Sequence, residues 1–431
     1  MKSAWLALCV AAVSTAVMAQ VPPPRTTVLK AARLFDGRGD ASIRNAVIVV
    51  SDGKIQSVGT GLAVSAGAEV IDLGDATLLP GFIDAHTHLT GESTDNWLQG
   101  AMAGLRRVVA ETAVRATEYA RRTVMAGFTT VRDVGSGDYV DVGLRNAIGA
   151  GVVPGPRMLV AVHALGARGG HCDNTGFPYM LFGNEPGMAD GIAAGGAGFR
   201  DAVRFQVKYG ADVIKVCATG GVLSLSDEVD TPQLTQEEMD ALVDEAHRLR
   251  KKTAAHAHGA EGAKVAIRAG IDSIDHGSFL DDEAIRMMKE RGTYFVPTAM
   301  AVKYVTSPTR SYPPEIGAKA RAAADAHGAA FRRAIQAGVR IALGTDSGVS
   351  PHGLNAQEFG LMVEHGMSPA AALRAGTSVA AALLGLERVV GTLEPGKEAD
   401  IVAVKGDPLA DIRATEKVTF VMRAGKILRR D

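Results

Sequence analysis

The chain has 431 residues, with 46 Lys+Arg against 47 Asp+Glu, a formal charge of −1, and a composition 47% hydrophobic and 22% charged. These figures describe a globular protein with room for a large core. They exclude the basic footprint of a nucleic-acid binder, and three cysteines exclude a disulfide framework. Residues 1–19 read as a signal peptide: Lys2 is the charged start, residues 4–17 are the apolar stretch, and Val17-Met18-Ala19 offers small residues for cleavage before Gln20. That stretch is short for a membrane span. The expectation is an exported protein, periplasmic or secreted, with no stable membrane span after cleavage. Cys172 and Cys217 then remain, and the sequence leaves open whether they pair.

After Pro22 to Pro24 the hydrophobic pattern has period two. The runs 27–34, 46–50, 54–58 and 70–73 are strand candidates, punctuated by Asp36-Gly37, Ser51-Asp52-Gly53 and Leu73-Gly74-Asp75. The same texture returns only at 401–404 and 418–421. One β-sandwich built from both termini, residues 20–80 plus 386–431, is the economical reading. Between them, apolar runs at 78–83, 128–134, 158–162, 213–216, 253–257, 273–274, 294–296 and 341–343 alternate with helical stretches. The clearest helix is 235–250, where Thr235 with Glu238 forms a capping-box signal. Eight strands each followed by a helix predict an α/β fold, a (β/α)8 TIM barrel over residues 81–385.

Buried parallel strands should be free of polar residues, yet several of these runs end in His, Lys or Asp. In such a barrel the C-terminal strand ends carry the active site. The first run ends Asp84-Ala85-His86-Thr87-His88, and residues two apart face the same way, so both imidazoles enter the mouth together. Lys215 sits in Val213-Ile214-Lys215-Val216-Cys217, where a cation is costly to bury. The fifth run ends His256-Ala257-His258, the sixth Asp275-His276-Gly277, and the eighth Gly344-Thr345-Asp346-Ser347-Gly348. His163 ends the third run. His247, His327, His352 and His365 fall on helical or loop stretches and read as surface residues.

With Pro80-Gly81-Phe82-Ile83-Asp84 before His86 and His88, then Lys215, His256, His276 and Asp346 in order, the chain resembles the amidohydrolase superfamily. The tail 391–400, followed by Gly406-Asp407-Pro408-Leu409, resembles the segment that re-enters that family's β-sandwich. The resemblance implies two divalent metal ions, usually zinc, bridged by hydroxide. It implies that Lys215 is carboxylated and bridges both, with His86, His88 and Asp346 on one metal and His256 and His276 on the other. His256 and His258 compete for one ligand position. His256 is deeper in the strand and lies twenty positions before His276, as in similar members of that superfamily, so the resemblance favours His256 and leaves His258 to face substrate. Gly169-Gly170-His171, the stretch 215–221 and His256-Ala257-His258-Gly259 resemble one group, the metallo-dipeptidases and ochratoxin-hydrolysing amidases. These cut the amide to a C-terminal amino acid, and they shade into imidazolonepropionase-like hydrolases. Assembly as a homo-oligomer is the family's habit.

The expected substrate is therefore a small-molecule amide or peptide. Asp346 would carry the proton from water to the leaving amine. His258 and His163 are candidates to hold a carbonyl oxygen or carboxylate, and His171 lies in a glycine-rich loop beside Arg168, a candidate for pairing with a carboxylate. The loop 221–230 leaves two ideas open: Val222 and Leu223 could line a pocket for a hydrophobic side chain, or its acidic end could meet a C-terminal Lys or Arg. The rival on the same scaffold is a mononuclear deaminase using Glu261 as proton shuttle. A bridging lysine has no use there.

Overall fold

A computed structural model of the chain describes residues 26–178, 181 and 185–431; the expected leader at 1–19 lies outside the described residues. The fold is mixed α/β. Strands β1 (Thr26–Leu34), β2 (Ile43–Ser51) and β3 (Lys54–Thr60) form an antiparallel meander. Its second turn uses Asp52 and Gly53 at φ 51° and 74°, the left-handed pair that a two-residue hairpin requires. β4 (Glu69–Asp72) and β5 (Ala76–Pro80) pair in parallel with successive parts of β1.

Next come parallel strands β6 (Phe82–Thr87), β7 (Phe128–Asp133) and β8 (Arg157–Val160). A short pair, β9 (Gly166–Ala167) and β10 (Ile192–Ala193), decorates the following loop. β11 (Val213–Cys217), β12 (Lys252–Gly259), β13 (Ser273–Phe279) and β14 (Tyr294–Val296) form a second parallel set. Parallel bridges Leu165–Val216, Phe295–Ile341 and Thr87–Ser347 join the two sets and bring the ladder back to β6. The strands thus form a ring, with segment 341–343 as its eighth member. Helices such as Gln236–Arg248 lie between successive members, and there the capping box forms as the sequence predicts: Thr235 Oγ1 accepts from Glu238 N, and Glu238 Oε2 accepts from Thr235 N at 2.9 Å.

β15 (Ile401–Lys405), β16 (Val418–Arg423) and β17 (Lys426–Arg430) complete the chain. β15 pairs antiparallel with β5, so both termini share one eight-stranded sheet. It has its own apolar cluster, including Leu29, Ile48, Ile71, Leu78, Ile401 and Phe420. The run 78–83, which reads as a single barrel strand, is split: Leu78 to Pro80 belong to the terminal sheet, and the ring starts at Phe82. Gly81 is the join, and a Cβ there would lie 2.1 Å from Thr129 Oγ1, so only glycine lets the chain cross. Among the described residues no helix is long and apolar enough to cross a membrane.

Candidate active site

His86, His88, Lys215, His256, His258, His276 and Asp346, drawn from five different ring segments, line one cavity of about 200 Å³. Simple alternation would put Asp275 and His276 on opposite faces. His276 instead adopts φ 75°, and the ends of three other ring segments do likewise, at Val162 (65°), Thr298 (50°) and Asp346 (55°). Left-handed backbone at non-glycine residues is strained and gathers where function over-determines it. Here it turns side chains that the pleat would send outward.

Three of these residues converge closely. The Nδ1 of His86 lies 2.8 Å from the Asp275 carboxylate and that of His88 lies 3.0 Å from the Gly135 carbonyl, so both acceptors place the imidazole proton on Nδ1. The two Nε2 atoms then lie 3.5 and 3.4 Å from one oxygen of Asp346. That Oδ1 is buried without a hydrogen-bond partner. Burial lowers the pKa of His86 to about 4, so at neutral pH its Nε2 offers a lone pair, not a proton. The ligand atoms of His86, His88 and Asp346 lie within 4.8 Å of one another. Lone pairs facing a carboxylate repel unless a cation lies between them, and two imidazoles with one carboxylate suit a divalent ion.

A second group sits beside the first. The buried Lys215 Nζ lies 3.3 Å from Asp275 Oδ2, and burial pushes its pKa down although Asp275 opposes the shift. Burial would raise Asp275, but Arg132, Lys215 and His86 together hold it below the usual carboxylate range. The imidazoles of His256 and His276 have centroids 4.5 Å apart, and His258 stacks on His276 at 5.1 Å. Burial is the first cause holding all three below the usual histidine range, with His258 at about 3. His276 Nδ1 meets Thr298 Oγ1 at 2.8 Å, His258 Nδ1 meets Ser278 Oγ at 2.9 Å, and His256 Nε2 faces the Gly220 carbonyl at 3.3 Å. Each ring therefore keeps one nitrogen for the cavity.

The remaining candidates divide. His171 lines the cavity, stacks on His256 at 4.2 Å and bonds Ser224 Oγ at 2.8 Å. A disulfide between Cys172 and Cys217 ties its loop to the end of β11, answering the question the sequence left open. Gly221 sits against His171, where a Cβ would fall 2.1 Å from the ring. Val222 and Leu223 are cavity wall. His163 packs edge-on against Tyr139 at 5.8 Å and does not line the cavity; Ala164 does, because the left-handed Val162 rotates the chain. Arg168 is exposed and pairs with Glu185 at 3.2 Å. Glu261 points outward, 3.0 Å from Lys264. His327 and His352, read as surface residues, are buried and meet the carbonyls of Pro297 and Gly91 at 2.7 and 2.8 Å; a helical or loop position says nothing about which face packs.

Sequence reasoning passed over the supports. Arg132 is fully buried and lies 3.1 Å from Asp275. Asp84 is also buried and bonds Thr345 Oγ1 at 2.6 Å and Asn355 Nδ2 at 2.8 Å, pinning the backbone beside Asp346. Glu358 accepts the Ala299 and Met300 N–H groups at 2.9 and 2.7 Å, fixing the turn that carries Thr298. For Arg132 and Asp275 the signal was present: a charged residue within a buried strand, the same mark that exposes Lys215.

Residues 77–428 match the amidohydrolase family. Ochratoxinase of Aspergillus niger is 34% identical over 439 residues, 96% of this chain and 88% of that protein. A crystal structure of a Xaa-Pro dipeptidase with bound methionine in the active site superimposes with a TM-score of 0.90 at 39% identity, covering 94% of this chain and 100% of that one. Imidazolonepropionase of Cutibacterium acnes is 28% identical, over 90% of this chain and 92% of that protein. A match running from the last strand before the ring almost to the C-terminus takes in the whole histidine, lysine and aspartate set, and on it the chain belongs to the amidohydrolase family.

Proposed function

We propose that the protein is a binuclear, zinc-dependent amidohydrolase that cleaves the amide or peptide bond to a C-terminal amino acid. Its substrates would be dipeptides, N-acyl amino acids and ochratoxin-like amides. The observation that carries the reading is the convergence of His86, His88 and the unpartnered Asp346 oxygen. The strand ring is then a (β/α)8 barrel and the terminal sheet its companion β-sandwich.

His86, His88 and Asp346 would hold one ion, His256 and His276 the other, and a carboxylated Lys215 would lie between. Two divalent ions, when bound, make water acidic enough to ionise near neutral pH and polarise the scissile carbonyl. A lysine amine can be carboxylated only when neutral, and burial favours that form here. Asp346 turns one oxygen to the imidazoles and leaves the other to take the proton of the attacking water. That proton passes to the amide nitrogen as the C–N bond breaks. His258, its Nδ1 engaged by Ser278, directs Nε2 at the substrate's carbonyl or carboxylate, and His171, Val222 and Leu223 wall the site. His163 and Arg168 lie outside the cavity lining and receive no part. The disulfide fits an exported protein, and assembly of several copies is part of the reading.

The deaminase alternative needs a carboxylate after β12 aimed at the metal, and Glu261 pairs with Lys264 instead. A cyclic-amide hydrolase of the imidazolonepropionase kind would use the same metals. The test is product analysis with metal-loaded protein and N-acetyl amino acids. Release of the free amino acid with acetate supports the reading. Release of ammonia from aminated heterocycles, with no amino acid released from any acyl substrate, contradicts it.

A further inference from the structure

Apart from the imidazoles, Lys215 and Asp346, the cavity wall carries no charge. Val222 and Leu223 from the loop after β11, Val302 and Val305 from the helix Ala299–Val305, and Ala320 and Ala324 from the helix Pro314–Ala337 form much of it. The acidic end of loop 221–230 is spoken for. Asp227, whose side chain is 5% exposed, receives Lys319 Nζ at 2.9 Å, Ser224 Oγ at 2.7 Å and Gln233 Nε2 at 3.1 Å. Glu228 and Asp230 do not reach the cavity. Among the described residues that line it, Asp346 is the only carboxylate and Lys215 the only lysine or arginine.

A second, more open groove adjoins this cavity and shares His88, Leu223 and Val349 with it. It is lined by Trp97, Arg107, Arg310 and Tyr312 among others, and Asp346 does not line it. Since Asp346 delivers the proton to the leaving nitrogen, the nitrogen and whatever it bears belong on the apolar side that Asp346 lines. The acyl group then extends past His88 into the groove.

We infer that the apolar cavity beside Asp346 is the specificity pocket for an apolar side chain on the released amino acid, such as Leu, Met or Phe, and that it rejects Lys, Arg and Glu. This rests on the hydrolase reading above. Burial of each added methylene favours binding by about fourfold. A charged side chain would lose its hydration against a wall that offers it no partner. The small Ala320 and Ala324 make the room, and the engaged Asp227 removes the one anion that could have met a basic residue.

The experiment uses metal-loaded protein and N-acetyl amino acids varied at the C-terminal residue. The expected result is kcat/KM for Leu, Met and Phe tens of fold above Ala, and Lys, Arg and Glu at least a hundredfold below Leu. Ala324 is half-buried, so Ala324→Leu should fold. It should cut kcat/KM for Phe at least tenfold through KM and for Ala by much less, and Val305→Ala should shift preference toward Phe. Binding of free amino acids, read by thermal shift, makes the pocket testable without turnover: Leu and Phe should raise Tm and Lys should not. Equal turnover of Lys or Arg and Leu overturns the inference. So does an Ala324→Leu effect that follows the acyl group, with the C-terminal residue fixed, instead of the amino acid. If no amide is cleaved yet Leu still binds and Lys does not, the hydrolase reading fails and the pocket stands. If Leu and Lys bind alike, the pocket fails whatever the chemistry.

Discussion

At the scale of single residues the site turns on two buried ionisable groups, Lys215 and Asp275. Lys215→Ala should leave about one metal ion per chain where the wild type should hold two, and should lose most hydrolytic activity. Short carboxylic acids occupying the vacated bridge should restore part of both, while Lys215→Arg, which keeps its cation and offers no anionic oxygen, should restore neither. Metal analysis beside a rate assay reads all three, and two ions with near-normal turnover in Lys215→Ala would disprove the bridge. Asp275 supports the same centre from beneath, taking Arg132, Lys215 and the Nδ1 of His86. Asp275→Asn strands the fully buried Arg132 without a counter-charge, which costs on the order of 3–5 kcal/mol when a buried pair is broken. Denaturant unfolding should register that loss, and an unchanged midpoint would contradict it. The cavity's histidines, lysine and aspartate were legible because such residues stand out in apolar strands. The role of Asp275 was not, since its partners come from β7, β11 and β6 across the ring, and no local pattern gives that pairing.

At the scale of elements, the turn at Thr298 shows how His276, placed in the proposed second metal position, is braced. His276 leans on Thr298, and Thr298 leads the helix Ala299–Val305, whose first two N–H groups end on Glu358. Full burial raises the Glu358 pKa to about 8, the two N–H donors notwithstanding. Between the ordinary glutamate value of 4.5 and about 8, the unfolded chain has released this proton while the native state retains it. Stability contributed by the protonated group is therefore present at low pH and withdrawn as pH rises through that window, by on the order of 4 kcal/mol. Glu358→Gln, a neutral mimic of the protonated form, should flatten that part of the pH dependence of unfolding between pH 5 and 8; an identical slope in variant and wild type would refute the assignment. Helix Gln236–Arg248 was readable from Thr235 and Glu238 because capping is local chemistry. The break at Gly81 was passed over although Pro80-Gly81 punctuates the run 78–83; the contact that demands glycine there, with Thr129, lies on another strand. His163 escaped for a similar reason: its direction depends on the left-handed Val162, and a valine gives no sign of that conformation.

At the scale of the whole molecule, the two ends of the chain meet where β5 pairs with β15, and β5 leads within two residues to the strand that delivers His86 and His88. Arg157 at the start of β8 reaches Asp400 at 2.8 Å, so the terminal sheet and the strand ring are held by the direct run of chain from β5 into β6 and by a partly buried ion pair. The period-two texture confined to both ends made this legible. The central claim is a two-metal amide hydrolase, and one titration addresses it: chelator-stripped protein is given zinc stepwise, with bound metal per chain and amino acid released from N-acetyl-leucine measured on the same samples. Release should climb to its plateau as the second ion binds. Full activity at one ion per chain, or two ions bound with no amino acid released from any acyl substrate, would contradict the account.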